Sequence, residues 1–350
     1  MDEAVAMVLF AGISAYAVLA GADFGAGFWD LVAGGAERGE RPRALIDRSI
    51  GPVWEANHVW LIFSLVVLWT AFPEAFESIT LTLFVPLTLV ALGIVLRGAS
   101  FAFRKSLYRT RERRALGAVF ASSSVLVPYC MGAIAGAIAS GRVPAGGEAG
   151  DPWSSWVNPT SIVGGVLAVT TGAYLASVYL IWDARRLEQA TEVEYFRRRA
   201  LVAAVVAGVV AFVGIFVLRA DSRYVFDGMT ARALPLVLLS ALSGIGSLVL
   251  LLRRAPFGAR ALAALAVASV IWPWGVAQWP YMLPKSLKVS DAAAPSATLA
   301  TVLVVFGIAA VLIVPSLVLL FVLDQRSMLP EEGVEESIEP ERASNATTPA

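Results

Sequence analysis

Apolar residues run along this chain in blocks of about twenty, and polar residues gather between the blocks instead of alternating with them. Nine blocks stand out, at residues 4–34, 49–72, 78–103, 115–139, 160–183, 200–219, 234–252, 261–279 and 297–323. Each is long enough to cross a hydrocarbon core as a helix, and the first is long enough to tilt or protrude. Helices are required because lipid offers backbone N–H and C=O groups no partner. The expected fold is an all-α polytopic membrane protein of about nine transmembrane helices, with its transmembrane domain over 1–323. The start, MDEAVAMV, is acidic and lacks the basic flank of a signal peptide, so the first block is expected to stay in place as a helix. Residues 324–350 carry seven acidic and two basic residues and little that could form a core; this tail is expected to be disordered.

Charge between the blocks orients them. Alternate loops hold 18 Lys and Arg residues: Arg38 to Arg48, Arg104 to Arg114, Arg185 to Arg199 and Arg253 to Arg260. The opposite loops hold six: Arg142, Arg219, Arg223, Arg232, Lys285 and Lys288. The positive-inside rule then puts the N-terminus outside and the C-terminus in the cytoplasm. The segment WPWGVAQWPYMLP brings Trp272, Trp274, Trp279 and Tyr281 to the outer interface, as an aromatic belt does.

Composition narrows the chemistry. Of 350 residues 58% are hydrophobic and 15% charged, where soluble proteins carry about 25% charged residues. Mean hydropathy is +0.72. One cysteine, Cys130, and one histidine, His58, exclude an internal disulfide, an iron–sulfur or zinc cluster built from this chain's cysteines, and a bis-histidine haem. No metal site is expected here, and no catalytic residue is assigned. If the protein works with a redox metal, another chain supplies it.

Against this background the ionisable residues inside the blocks need a partner or a task. Asp23 lies near the inner end of the first block and Arg97 near the inner end of the third. Glu55 lies six residues into the second, about 9 Å at the helical rise. All three are expected at one depth in the inner half, with Ser122, Ser123 and Ser124 of the fourth block nearby. Glu55 shares a helical face with His58, and Trp54 shares one with His58, while Asn57 points elsewhere, toward a neighbouring helix. Gly21 and Gly25 have the spacing that lets helices pack closely. Two readings stay open. The layer is a structural cluster, Arg97, Asn57 and Trp54 pinning helices together; or Asp23, Glu55 and His58 form a proton entry from the cytoplasm, Glu55 poised between desolvation and the Arg97 charge. His58 is either a relay or a satisfied interface histidine.

At these residues the chain resembles subunit II of the cytochrome bd-type quinol oxidases. The segments that carry the likeness are GADFGAG at 21–27, IGPVWEANHVWLI at 50–62, LRGASFAFR at 96–104, Asn158-Pro159 opening a helix, and PYMLP at 280–284. They are ordered from about residue 10 to 325, and the second is the most specific. Departures from the family pattern fall at Ala22, Ala56, His58 and Ala102. The resemblance implies nine membrane helices and a heterodimer with subunit I. That subunit holds haems b and d and the quinol site, which leaves this chain without a haem of its own. It also implies a bacterial cytoplasmic membrane location, quinol and dioxygen as substrates of the complex, and a proton route near Asp23 and Glu55. A quinone bound as a structural ligand is a further implication; no nucleic acid is involved. The alternatives are a proton-coupled transporter using Asp23, Glu55 and Arg97, or a structural oxidase subunit without a proton path. No matching pair of interrupted blocks supports the transporter.

Overall fold

The computed structural model describes residues 1–50, 54–104 and 110–325. The chain forms a bundle whose helices are α1 (Asp2–Leu31), α2 (Ala36–Ile50), α3 (Trp54–Ala71), α4 (Pro73–Thr82), α5 (Phe84–Arg104), α6 (Thr110–Ala139) and α7 (Pro159–Arg186). They continue with α8 (Ala190–Asp221), α9 (Arg223–Ala231), α10 (Leu234–Leu252) and α11 (Ala259–Gln278). A two-stranded antiparallel hairpin follows, β1 (Tyr281–Leu283) and β2 (Leu287–Lys288), then α12 (Val289–Ala292) and α13 (Ser296–Gln325). That hairpin is the one sheet among the described residues.

Eight of these helices are long and apolar enough to cross a membrane. The count reaches nine when α2 and α3, whose axes differ by 55°, are taken as one broken span. The chain is thus a multi-pass helical membrane protein. Three boundaries differ from the sequence expectation. The second block is divided between two helices, its first residues closing α2 and Glu55 lying in the first turn of α3. The third block is divided too: α4, opened by Pro73 where a missing N–H costs nothing, takes its first residues, and α5 forms the rest from Phe84. α8 begins ten residues before its apolar block, so Arg197, Arg198 and Arg199 lie on helix and not in a loop. The tail from 326 onward lies outside the described residues, as does the Gly51–Val53 part of the second motif.

Helix α1 is apolar on all sides, as a helix buried among others must be, and it packs against α3, α6, α7 and α11. Two cores meet along it. One joins Val5, Leu9 and Phe24 to Val67, Phe72, Leu83, Val127 and Cys130. The other joins Ala22, Ala26 and Trp29 to Leu45, Phe101, Phe120, Leu175 and Phe196. Asn158 caps α7, its side-chain oxygen accepting from Ser161 N at 3.0 Å, with Pro159 in the first helical position. The outward faces of α8, α10 and α13 expose Val209, Phe212, Leu242, Val311 and Leu312, the surface that hydrocarbon would cover.

At the end of the bundle opposite the basic loops, Asp221 ties three segments together. It accepts from Arg142 at 2.6 and 3.1 Å and from the Thr160 hydroxyl at 2.6 Å. Ser222 donates to the Ala139 carbonyl beside it. Arg142 is 35% exposed, so water screens the pair. Asp221→Ala is expected to lower the stability of the purified protein by about 1 kcal/mol, read as a shift in thermal unfolding.

Candidate functional site

The close approach of α1 to α7 sets up the site. A Cβ on Gly25 would run into the Gly172 carbonyl of α7, and one on Gly27 would run into Ser124 Oγ of α6. Only hydrogen at these two positions lets α1 lie that near both neighbours. A Cβ on Gly21 would meet nothing within 4 Å, but the Gly21 carbonyl lies 2.8 Å from where a Cβ on Gly172 would sit, so both members of the expected small-residue pair take part in the approach to α7.

Between these glycines sits Asp23, 6% exposed, where the two cores meet. Its carboxylate accepts from Asn57 Nδ2 of α3 at 2.8 Å. Its main-chain carbonyl accepts from Arg97 of α5 at 3.0 Å. The same guanidinium donates to Ser124 Oγ at 2.6 Å, and Ser124 in turn donates to the Phe120 carbonyl at 2.7 Å. Arg97 is 1% exposed, and its guanidinium carbon lies 4.7 Å from the ring centroids of both Phe24 and Phe120. This is a cation held between two aromatic faces and two oxygen acceptors, an arrangement that offsets part of its lost hydration.

His58 stands beside this layer. Its Nδ1 is 2.8 Å from the Trp54 carbonyl, and since a carbonyl can only accept, Nδ1 carries a proton. Its ring is ringed by Tyr16, Phe24 and Trp54 at centroid distances of 6.0, 5.9 and 5.9 Å. Tyr16 Oη, Asn57 Oδ1, His58 Nε2 and Arg97 Nε are all buried and find no protein partner. Buried polar atoms of this kind are ordinarily met by internal water.

Thus α1, α3, α5 and α6 do converge on one polar layer through Asp23, Asn57, Arg97 and Ser124. Glu55 is the exception. Its side chain is exposed, on the outside of the bundle. The reason is geometric: two residues turn a helix by about 200°, so with Asn57 aimed at α1, Glu55 faces the other way. Trp54 stacks near Phe101 at 5.5 Å and gives His58 its carbonyl. Tyr16, Phe24 and Phe120 were not picked out from the sequence; Tyr16 lies seven residues before Asp23, two turns back on the same face, which is the signal that would have found it.

Among the described residues no three His, Cys, Asp or Glu side chains gather where a metal ion could be held. Near the C-terminal end of α1, Asp30 accepts from Arg43 of α2 at 2.8 Å and Trp29 donates to the Ala173 carbonyl at 2.7 Å, which closes that end.

Comparison with known proteins gives a consistent likeness. The family model described as cytochrome bd terminal oxidase subunit II matches residues 1–323. Cytochrome bd ubiquinol oxidase subunit 2 of Bacillus subtilis (strain 168) is 28% identical over 240 residues, which span 66% of this chain and 66% of that one. Cytochrome bd-I ubiquinol oxidase subunit 2 of Escherichia coli (strain K12) is 31% identical over 98 residues, which span 28% of this chain and 25% of that one. In fold, the chain resembles one from the bd oxidase of Geobacillus thermodenitrificans, with a TM-score of 0.73 at 23% identity, covering 91% of this chain and 97% of the other.

Proposed function

Because the chain belongs to the cytochrome bd terminal oxidase subunit II family, we propose that it is the haem-free subunit of a quinol:dioxygen oxidoreductase, paired with a haem-bearing subunit I in a bacterial cytoplasmic membrane. Its N-terminus lies outside and its C-terminus inside, on the strength of the 18 basic residues in one set of loops. Quinol gives up electrons at the partner, dioxygen takes them there, and the protons consumed with them come from the cytoplasm. This chain's task is to bring those protons part of the way.

One observation carries the reading. A buried carboxylate, Asp23, shares its surroundings with four buried polar atoms that lack protein partners, on Tyr16, Asn57, His58 and Arg97. Buried polar atoms are ordinarily paired, so four unpaired ones gathered around one carboxylate favour internal water over a bare pin between helices. Internal water satisfying them would form a hydrated path around Asp23, and a carboxylate in such a path can take up and release a proton. Glu55, exposed in the first turn of α3, is the entry group at the inner rim, and His58, one turn further along, offers its free Nε2 to the same path. Arg97 holds the main chain of Asp23 in place and keeps a positive charge nearby.

The test is Asp23→Asn in the assembled oxidase, an exchange that keeps shape and hydrogen bonding but removes the proton. Oxygen consumption is expected to fall by about 100-fold, the scale of losing one proton-transfer group, while the haem absorption spectrum stays as in the parent. Glu55→Gln is expected to slow turnover less, about tenfold, because a rim group has water as a substitute. Parental turnover in Asp23→Asn would return the layer to a purely structural role.

A further inference from the structure

We propose that the arginine-lined cavity between the α7–α8 turn and the α10–α11 turn holds the phosphate headgroup of an anionic phospholipid, with an acyl chain lying in the apolar groove beside it. The cavity, about 570 Å³, is lined by none of the residues of the Asp23 layer and plays no part in the proton reading. It is lined by Arg185, Arg197, Arg198 and Arg254 against Glu188 and Glu194. Four guanidinium groups against two carboxylates leave an excess of positive charge along the lining.

The arginines are held in place, not loose. Glu194 accepts from Arg197 at 2.9 Å twice, from Arg198 at 3.2 Å and from Arg254 at 3.4 Å. Arg185 donates to the Ala255 and Pro256 carbonyls at 3.0 Å each. A guanidinium has five N–H donors, and these bonds leave donors over on each. Glu188 and Arg254 also close α7 and α10 with left-handed backbones, φ 57° and 55°. Glycine is the usual residue there, ending the helix at no steric cost. Both positions spend that cost on a charged side chain that lines the same cavity.

The choice of lipid over a free anion rests on the neighbouring groove. A second cavity of about 430 Å³ shares Arg185 with the first and is otherwise lined largely by Tyr179, Trp182, Leu251, Phe257 and alanines, with Arg260 packed over the Tyr179 ring at 4.5 Å. Trp182 and Phe257 stand 6.0 Å apart, and Phe257 is 71% exposed. A basic cradle opening onto an aromatic groove at the basic end of a membrane bundle suits one molecule with a phosphate and a hydrocarbon chain. A free phosphate would use the cradle and leave the groove unfilled.

The test uses the full complex in nanodiscs of phosphatidylcholine with added phosphatidylglycerol, read by native mass spectrometry. The parent is expected to retain one phosphatidylglycerol per chain. Arg198→Gln and Arg254→Gln, made singly and together, alter side chains that are 76% and 68% exposed, so the fold should survive. Retention is expected to fall by about fivefold for each arginine removed, while Arg219→Gln at the opposite end leaves it unchanged. Equal retention in all variants would overturn the site. Inorganic phosphate reproducing the whole thermal stabilisation given by phosphatidylglycerol would overturn the lipid assignment, since the groove would then add nothing.

Discussion

Replacing Arg97 with methionine is expected to cost about 3–5 kcal/mol and to leave little assembled protein after detergent extraction, because it removes one member of a buried charge system. The guanidinium serves the Asp23 carbonyl, Ser124 Oγ and the faces of Phe24 and Phe120 together. Methionine fills part of the volume but donates nothing. The Asp23 carbonyl loses its side-chain donor, and the buried Asp23 carboxylate keeps Asn57 as its protein hydrogen-bond partner. The check is a double-mutant cycle. Asp23→Asn added to Arg97→Met should recover a substantial part of the yield, since the orphaned acid is gone. Additive losses would mean that the two residues do not sense each other, and the layer would have to be described as separate contacts.

Gly25→Val is expected to abolish the folded bundle, whereas Gly21→Ala, one turn away, is expected to change the thermal midpoint little. A branched side chain at 25 would have to occupy the space of the Gly172 carbonyl, and both partners are main chain in long helices that cannot step aside locally. Overpacking of this kind costs about 3 kcal/mol or more when backbone, not a flexible side chain, is in the way. At Gly21 there is open space. Size-exclusion profiles of the two variants side by side separate the effect of position from that of losing a glycine. A well-folded Gly25→Val protein would show that α1 and α7 do not need their close approach.

The comparison of sequence with structure is instructive residue by residue. Blocks of twenty apolar residues were enough to place the spans, because a hydrocarbon solvent leaves the backbone no other way to satisfy itself. Asp23, Arg97 and the serines of α6 could be expected at one depth because helical rise converts sequence distance directly into height. Height along an axis is readable; rotation about it is less so. Glu55 was expected to face the layer and faces out, while Asn57, expected to point toward a neighbouring helix, points straight at Asp23. Their two-residue spacing guarantees that only one of them can turn inward, and nothing in the apolar run of α3 says which. The second block is also divided, since the basic stretch before it folds as a helix that takes its first residues and lies at 55° to α3.

What the chain's own sequence determined is therefore which blocks become its spans and which motifs mark its family. These depend on the solvent and on residue chemistry, which act on each segment alone. What only the tertiary structure decided is which face of each helix turns inward: that Gly25 meets Gly172, that Phe24 and Phe120 clasp Arg97, and that Tyr16 and His58 keep buried atoms free beside Asp23. Those outcomes depend on how helices distant in sequence fit against one another, and no single apolar helix carries the information that sets its rotation.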